Sequence, residues 1–175
     1  WYSTNSGAQA VFGEGTSDVS SGNENAEENL ENYGRLYNGY AVLDERGICP
    51  NGWNVPSDSA FMILEIFLGM DEGEAAASGQ RGTFEGNYIK ASPEDSPSWN
   101  GLNTVDFAAL PGGKRVGPGY WQGEGWPQFG AEGQHGFFWT TTVNPWDSWE
   151  SLWIRDLWTG YSTITKDWEL KNSGL

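Results

Sequence analysis

The side chains of this sequence best suited to recognition chemistry are tryptophans. Eight of the eleven, Trp121, Trp126, Trp139, Trp146, Trp149, Trp153, Trp158 and Trp168, fall in the last third of the chain. Trp121 and Trp126 sit in GYWQGEGWPQFGAEGQ, and Trp146 and Trp149 flank Asp147 in NPWDSWES. These are loop strings rich in Gly and Pro, where a ring cannot easily bury both of its faces. An amphipathic ring held at the surface is suited to stacking on a sugar or to anchoring a protein partner. Gln122, Glu124, Gln128, Asn144 and Asp147 would add directional hydrogen bonds that stacking lacks. The expected ligand-binding set is Trp121, Trp126, Trp146, Asp147, Trp149, Trp158 and Tyr161. The competing reading is that the loops fold back and the rings plug a core short of aliphatic side chains. If both loop pairs are exposed, they form an apolar patch of the kind monomers seldom leave bare.

Catalytic chemistry finds less support. His135 is the one histidine, so a His-dependent triad or a zinc site would rest wholly on it, and its Gly-flanked position reads as an exposed turn. GPGYWQG and GEGWPQFG miss the spacing of a phosphate-binding glycine loop. Paired carboxylates for glycoside cleavage stay open, because Asp and Glu are plentiful and their separation is not written in a sequence. The expectation is a protein that is not an enzyme. With 24 acidic against 9 basic residues the net charge is −15, which makes nucleic acid a poor partner and disfavours an anionic membrane surface. Most of the acidic residues read as a solvated surface.

The elements that must position these side chains are short. At 175 residues the chain is of one-domain length, and 25 Gly, 11 Trp and 19% charged residues describe a loop-rich fold with an aromatic core. Residues 1–30 show no useful period and read as a long surface loop. From Glu31 to Leu43, Tyr33, Leu36, Tyr37, Tyr40 and Ala41 fall on one helical face, predicting a short amphipathic helix. A second helix is expected over about Ser57 to Leu68, started by Pro56 with Ser57 or Asp58 as cap, stopped at Gly69, and buried around more than one face. Residues 71–98 read as loop or weak strand apart from NYIKA. After Trp99 come short strands: DFAAL, KRVG, GYWQG, GFFWTTT, SLWIRDL and TITKDWEL. Two helices followed by a strand meander make the fold class α+β. The longest apolar stretch, Ala60 to Met70, is about half of what a bilayer span needs and is broken by Glu65, so no membrane insertion is expected. The chain opens on Trp1 with no basic-then-apolar leader, and reads as an excised or mature piece.

Four strings in fixed order, NYGRLYNGYAV, CPNGWNVPSDSAF, FAALPGGKR and GFFWTTT, resemble the Fibrobacter succinogenes major paralogous domain (FISUMP), a secreted bacterial module, over roughly Trp1 to Leu157. The resemblance implies a C-type-lectin-like fold, with two helices packed on short antiparallel strands and long loops collected on one side as a binding face. It also implies an extracellular or cell-surface location, and a structural role for Trp139 and Trp153, where the family pattern carries a strand aromatic. Trp53, in NGWNVP, reads as structural in the same way. Gly39 stands where the family more often has Trp. The single Cys49 is read either as a small buried hydrophobe or, on the family's pattern, as half of a bridge to an Arg-Cys strand that this chain does not carry.

The sugar-binding signatures of calcium lectins, Glu-Pro-Asn or Gln-Pro-Asp followed by Trp-Asn-Asp, are absent, and the expectation is no cofactor, with a structural calcium the alternative left open. The formylglycine-generating enzymes share the broader fold but need a cysteine pair. The expected function is an extracellular recognition or adhesion module for a glycan or protein ligand. The alternative is the head of a pilin-like or cell-surface assembly subunit, with self-association burying the aromatics.

Overall fold

The sequence SLWIRDLW is apolar at successive positions instead of alternating, the pattern of a strand covered on both faces. It forms β7 (Ser151–Trp158), whose first five residues are all buried. In the computed structural model, which describes residues 6–15, 25–116, 129–147 and 150–175, β7 lies inside a six-stranded sheet. Its neighbours are β6 (His135–Val143) and β8 (Ile164–Leu170), both antiparallel to it. Beyond β8 lies β3 (Gly79–Arg81); beyond β6 lie β4 (Gly112–Arg115), parallel to β6, and then β5 (Phe129–Glu132).

Register decides which side chains share a face, because they alternate along a strand. Trp153 pairs with Trp168 and Arg155 with Lys166, so these four lie on one face of β7 and β8. That face receives α3 (Asp58–Phe67), α4 (Glu72–Ala76) and α5 (Glu85–Ile89), and Met70, Ala75, Ile89, Leu157 and Ile164 share one core cluster there. The other face buries Leu152, Ile154 and Trp139 against Val42 and Leu175. Trp139 and Trp153 are thus core residues, as expected for both. A register shift between Trp139 and Val143 bends the end of β6.

The fold is mixed α/β, and α3 begins as the sequence predicts: Ser57 Oγ accepts from the Ala60 N–H at 3.1 Å. Its burial differs from expectation. Phe61 and Glu65 face inward, whereas Ile63, Ile66 and Phe67 are exposed, Phe67 by 75%. The helix has one sheet to pack on, and its apolar residues outnumber the places that sheet offers.

Other expectations change as well. The predicted helix over 31–43 is two helices with a strand between them. These are α1 (Ala26–Tyr33), capped by Asn25, β2 (Leu36–Tyr37), and a single turn, α2 (Gly39–Val42), capped by Asn38. Gly34 at φ 75° ends α1 in a conformation that a side chain disfavours. The apparent helical period was spread across separate elements. Within the predicted surface loop, β1 (Gln9–Ala10) pairs with β2, and Phe12 is 1% exposed against Phe129. Residues 71–98, expected as loop or weak strand, do hold a short strand, β3, but also two short helices, α4 and α5, and DFAAL contributes one isolated bridge, Lys90 with Ala109.

Gly39 has a local reason. A Cβ there would lie 2.9 Å from Lys171 Cα, and the Gly39 N–H donates to Lys171 O at 2.8 Å. Trp53 is not core: its ring is 77% exposed, on a turn where its N–H donates to Pro50 O at 3.0 Å. Trp53 lines the rim of an open apolar cleft with Val55, Phe138, Trp139 and Leu175 instead of filling the core. Cys49 is a free, partly exposed thiol, neither fully buried nor bridged. Among the described residues, no helix is long and apolar enough to cross a membrane.

Candidate functional site

At the end of β6 the chain turns through Asn144 to Asp147 before β7 begins. Asn144 is buried, its N–H donates to Ser151 O at 3.0 Å, and its Oδ1 accepts from the Trp146 N–H at 3.2 Å. This local lock holds the turn closed and leaves Trp146 outside it, 80% exposed. The Trp146 ring meets the buried Trp153 edge-on, with centroids 5.7 Å apart and planes at 86°. A cleft of about 410 Å³ opens here, with Trp146, Trp153, Trp168, Asn144, Lys166 and Asp167 on its walls. Asp147, one residue on from Trp146, has Oδ1 buried without a hydrogen-bond partner.

Beneath the cleft lies a charge network that the sequence reading missed. Glu65, fully buried on α3, accepts from Arg155 Nε at 2.6 Å and from Arg81 at 2.8 and 2.9 Å. Asp58 accepts from Arg155 Nη1 at 2.8 Å and from Lys166 Nζ at 2.7 Å. Burial pushes the Asp58 carboxyl up, but the hydrogen bonds from Lys166 and Arg155 outweigh it and hold the group below its ordinary value. Lys166 Nζ also stands 5.1 Å from the centroid of the Trp153 ring. The network therefore clamps α3 to β7 and β8 and supports Trp153 from below. Its available signal was the alternation in ITKDWEL, which puts Ile164, Lys166 and Trp168 on one face.

The expected aromatic set divides. Trp146 lies at the cleft, where it is joined by Trp153 and Trp168, whereas Asp147, the next residue of the turn, is not on the cleft's walls. Trp158 and Tyr161 belong elsewhere. Trp158 is five residues beyond Trp153, hence on the opposite face and roughly 16 Å along the strand. His135 stacks on the Trp158 ring at 5.7 Å and 15°, and Tyr161 meets it edge-on at 4.4 Å. Trp158 has spent its ring on its neighbours and joins no free platform with Trp146. Trp121, Trp126 and Trp149 lie outside the described residues.

His135 opens β6 and is half-buried, not the exposed turn residue the sequence predicts. Its Nδ1 lies 2.8 Å from Asp156 Oδ1, and its ring is sandwiched between Phe137 and Trp158. Lys90, another residue missed by sequence reasoning, fixes the turn after Trp158. Fully buried, its Nζ donates to Trp158 O at 3.2 Å and Tyr161 O at 2.9 Å, and burial pushes its pKa down to about 8. Among the described residues, no group of three or more His, Cys, Asp or Glu side chains could hold a metal ion.

Residues 5–166 match the Fibrobacter succinogenes major domain, a span that contains α3, the charge network and both walls of the turn at Trp146. The chain belongs to the Fibrobacter succinogenes major domain family. No curated protein and no solved structure matches it. In this Fibrobacter succinogenes major domain the matched span ends at Lys166, so Trp168, on the far wall of the cleft, falls just beyond it.

Proposed function

We propose that this domain is an extracellular or cell-surface recognition module, not an enzyme, and that its Trp146 cleft takes a carbohydrate. The observation that carries the reading is the exposed Trp146 ring braced edge-on against the buried Trp153. A sugar presents an apolar ring face and a rim of hydroxyls; an exposed indole suits the first. Asn144 and Asp167 offer acceptors and Lys166 a donor for the second. The support comes from strands and a locked turn, so little ordering is lost on binding. The same reading takes the fold as C-type-lectin-like, supported by the antiparallel β6, β7 and β8 and by the packing of α3, α4 and α5 on one face of them. It requires no cofactor and, with a net charge of −15, no nucleic acid.

A second reading, an assembly subunit that buries aromatics against other copies, draws on Trp53, Ile63 and Phe67, all large and exposed. One experiment addresses both. A glycan panel is titrated calorimetrically against the protein and against Trp146→Ala, with sedimentation run over a hundredfold range of protein concentration. Binding of one glycan class that Trp146→Ala abolishes supports recognition. No glycan binding together with concentration-dependent association supports assembly and overturns the carbohydrate reading.

A further inference from the structure

The network under Trp153 does not balance. Arg81, Arg155 and Lys166 are three cations, and Asp58 and Glu65 are two carboxylates. All three cations are buried, Lys166 with a side chain 6% exposed. A buried surplus charge is costly unless something compensates it. It is also locally opposite in sign to a chain whose net charge is −15.

Of the three cations, Lys166 lines the cleft. Its ammonium carries three donors. One is committed to Asp58 Oδ2 at 2.7 Å and a second makes a long contact to Ala76 O at 3.4 Å. The third has no protein acceptor among the described residues, and the ammonium stands 5.1 Å from the centroid of Trp153, another wall of the cleft. The nearest acidic residue in the sequence, Asp167, also lines the cleft, but it is exposed to water and its Oδ1 accepts from the Trp168 N–H at 2.8 Å. Water screens such a charge far more than it screens a buried one.

Resting on the recognition reading above, we propose that the cleft selects a carboxylated sugar, with the sugar ring on Trp146 and its carboxylate accepting from Lys166 Nζ. The ligand would supply the second half of a charge-assisted hydrogen bond and bring the buried network to neutrality. Hydroxyls on the same sugar would donate to Asn144 and Asp167, both on the cleft's walls.

The test uses tetragalacturonate and its carboxyl-reduced counterpart, tetragalactose, in calorimetric titrations of the whole domain. The expected result is at least tenfold tighter binding of the uronate, a preference that shrinks between about 50 and 500 mM salt. Lys166→Met is expected to bring the two affinities to within about twofold of each other. The salt series on the unaltered protein carries the test if that variant does not fold. Equal affinity for both sugars, with Trp146→Ala abolishing each, overturns the selection for a carboxylate and leaves the recognition reading standing. Failure of both sugars to bind overturns the carboxylated-sugar assignment, and the wider glycan panel then decides the recognition reading separately.

Discussion

Trp146 and Trp153 meet edge to face with their centroids 5.7 Å apart, yet one is 80% exposed and the other is core. The pair joins the two competing uses of tryptophan in this chain. Trp153 is held from below by Lys166 and from the strand by β6 and β8, and it passes that rigidity to a ring in solvent. A loop tryptophan without such a brace would lose side-chain freedom on binding, and the free energy of contact would be spent on ordering it.

Trp146→Ala should lower glycan affinity at least about tenfold while costing about 1 kcal/mol of stability, the worth of an aromatic edge contact. Calorimetric titration and urea melts on the same preparation check it. A variant that unfolds markedly more easily would place Trp146 in the core instead.

Trp153→Ala should cost about 3 to 5 kcal/mol, because it empties a buried site and removes the ring that packs on the Lys166 ammonium. Its denaturation midpoint falls, and binding falls with it. Comparing the two tryptophan variants separates platform from support.

Glu65→Gln removes the carboxylate that Arg81 and Arg155 share, and leaves the buried Arg81 without an anion and Arg155 with Asp58 alone. A loss of about 3 to 5 kcal/mol is expected in denaturant melts at neutral pH.

Asp58 gives the network a pH signature. Its carboxyl is held below the ordinary value in the fold, so the unfolded chain takes up the proton first as the pH falls. The stability it contributes is fully present above the ordinary carboxylate pKa of about 3.9 and is lost as the pH falls through the lower folded value. Melts of the unaltered protein and of Asp58→Asn should differ most near pH 6 and converge in strong acid.

Lys90 behaves in the opposite sense. Its folded pKa of about 8 lies below the unfolded value of about 10.4, so between them the unfolded chain binds more protons. Stability should therefore rise between pH 8 and about 10 as the buried ammonium loses its charge. Lys90→Met should flatten that rise and, by leaving Trp158 O and Tyr161 O without their donor, lower stability at neutral pH. Thermal melts at half-unit pH steps show both effects.

Much of the secondary structure near the site was legible because it is written in local chemistry. Ser57 before an apolar run is a cap wherever it falls, and GFFWTTT, SLWIRDL and TITKDWEL are β-rich runs between turns. The helix predicted over 31–43 failed for a local reason too: Asn25 and Asn38 both cap, and Gly34 stops the chain between them. A period counted across a cap and a stop is not one face. The cleft was half legible, since NPWDSWES announces Trp146 but nothing near it names its partners.

By itself, then, the sequence determined the family, the strand-rich second half, the start of α3 and the core placement of Trp139 and Trp153. The strands and the start of α3 follow from side-chain type and near neighbours, and the placement of the two tryptophans from the family resemblance of their motifs. Only the tertiary structure decided that Trp168 stands across from Trp153, that Trp158 is consumed by His135 and Tyr161, that Trp53 faces water, and that five charges meet beneath the cleft. Those relationships depend on register and on contacts such as Arg155 with Glu65, 90 residues apart, and Lys166 with Asp58, 108 apart. Sliding a strand by one residue would send every such side chain to the other face while leaving its sequence unchanged.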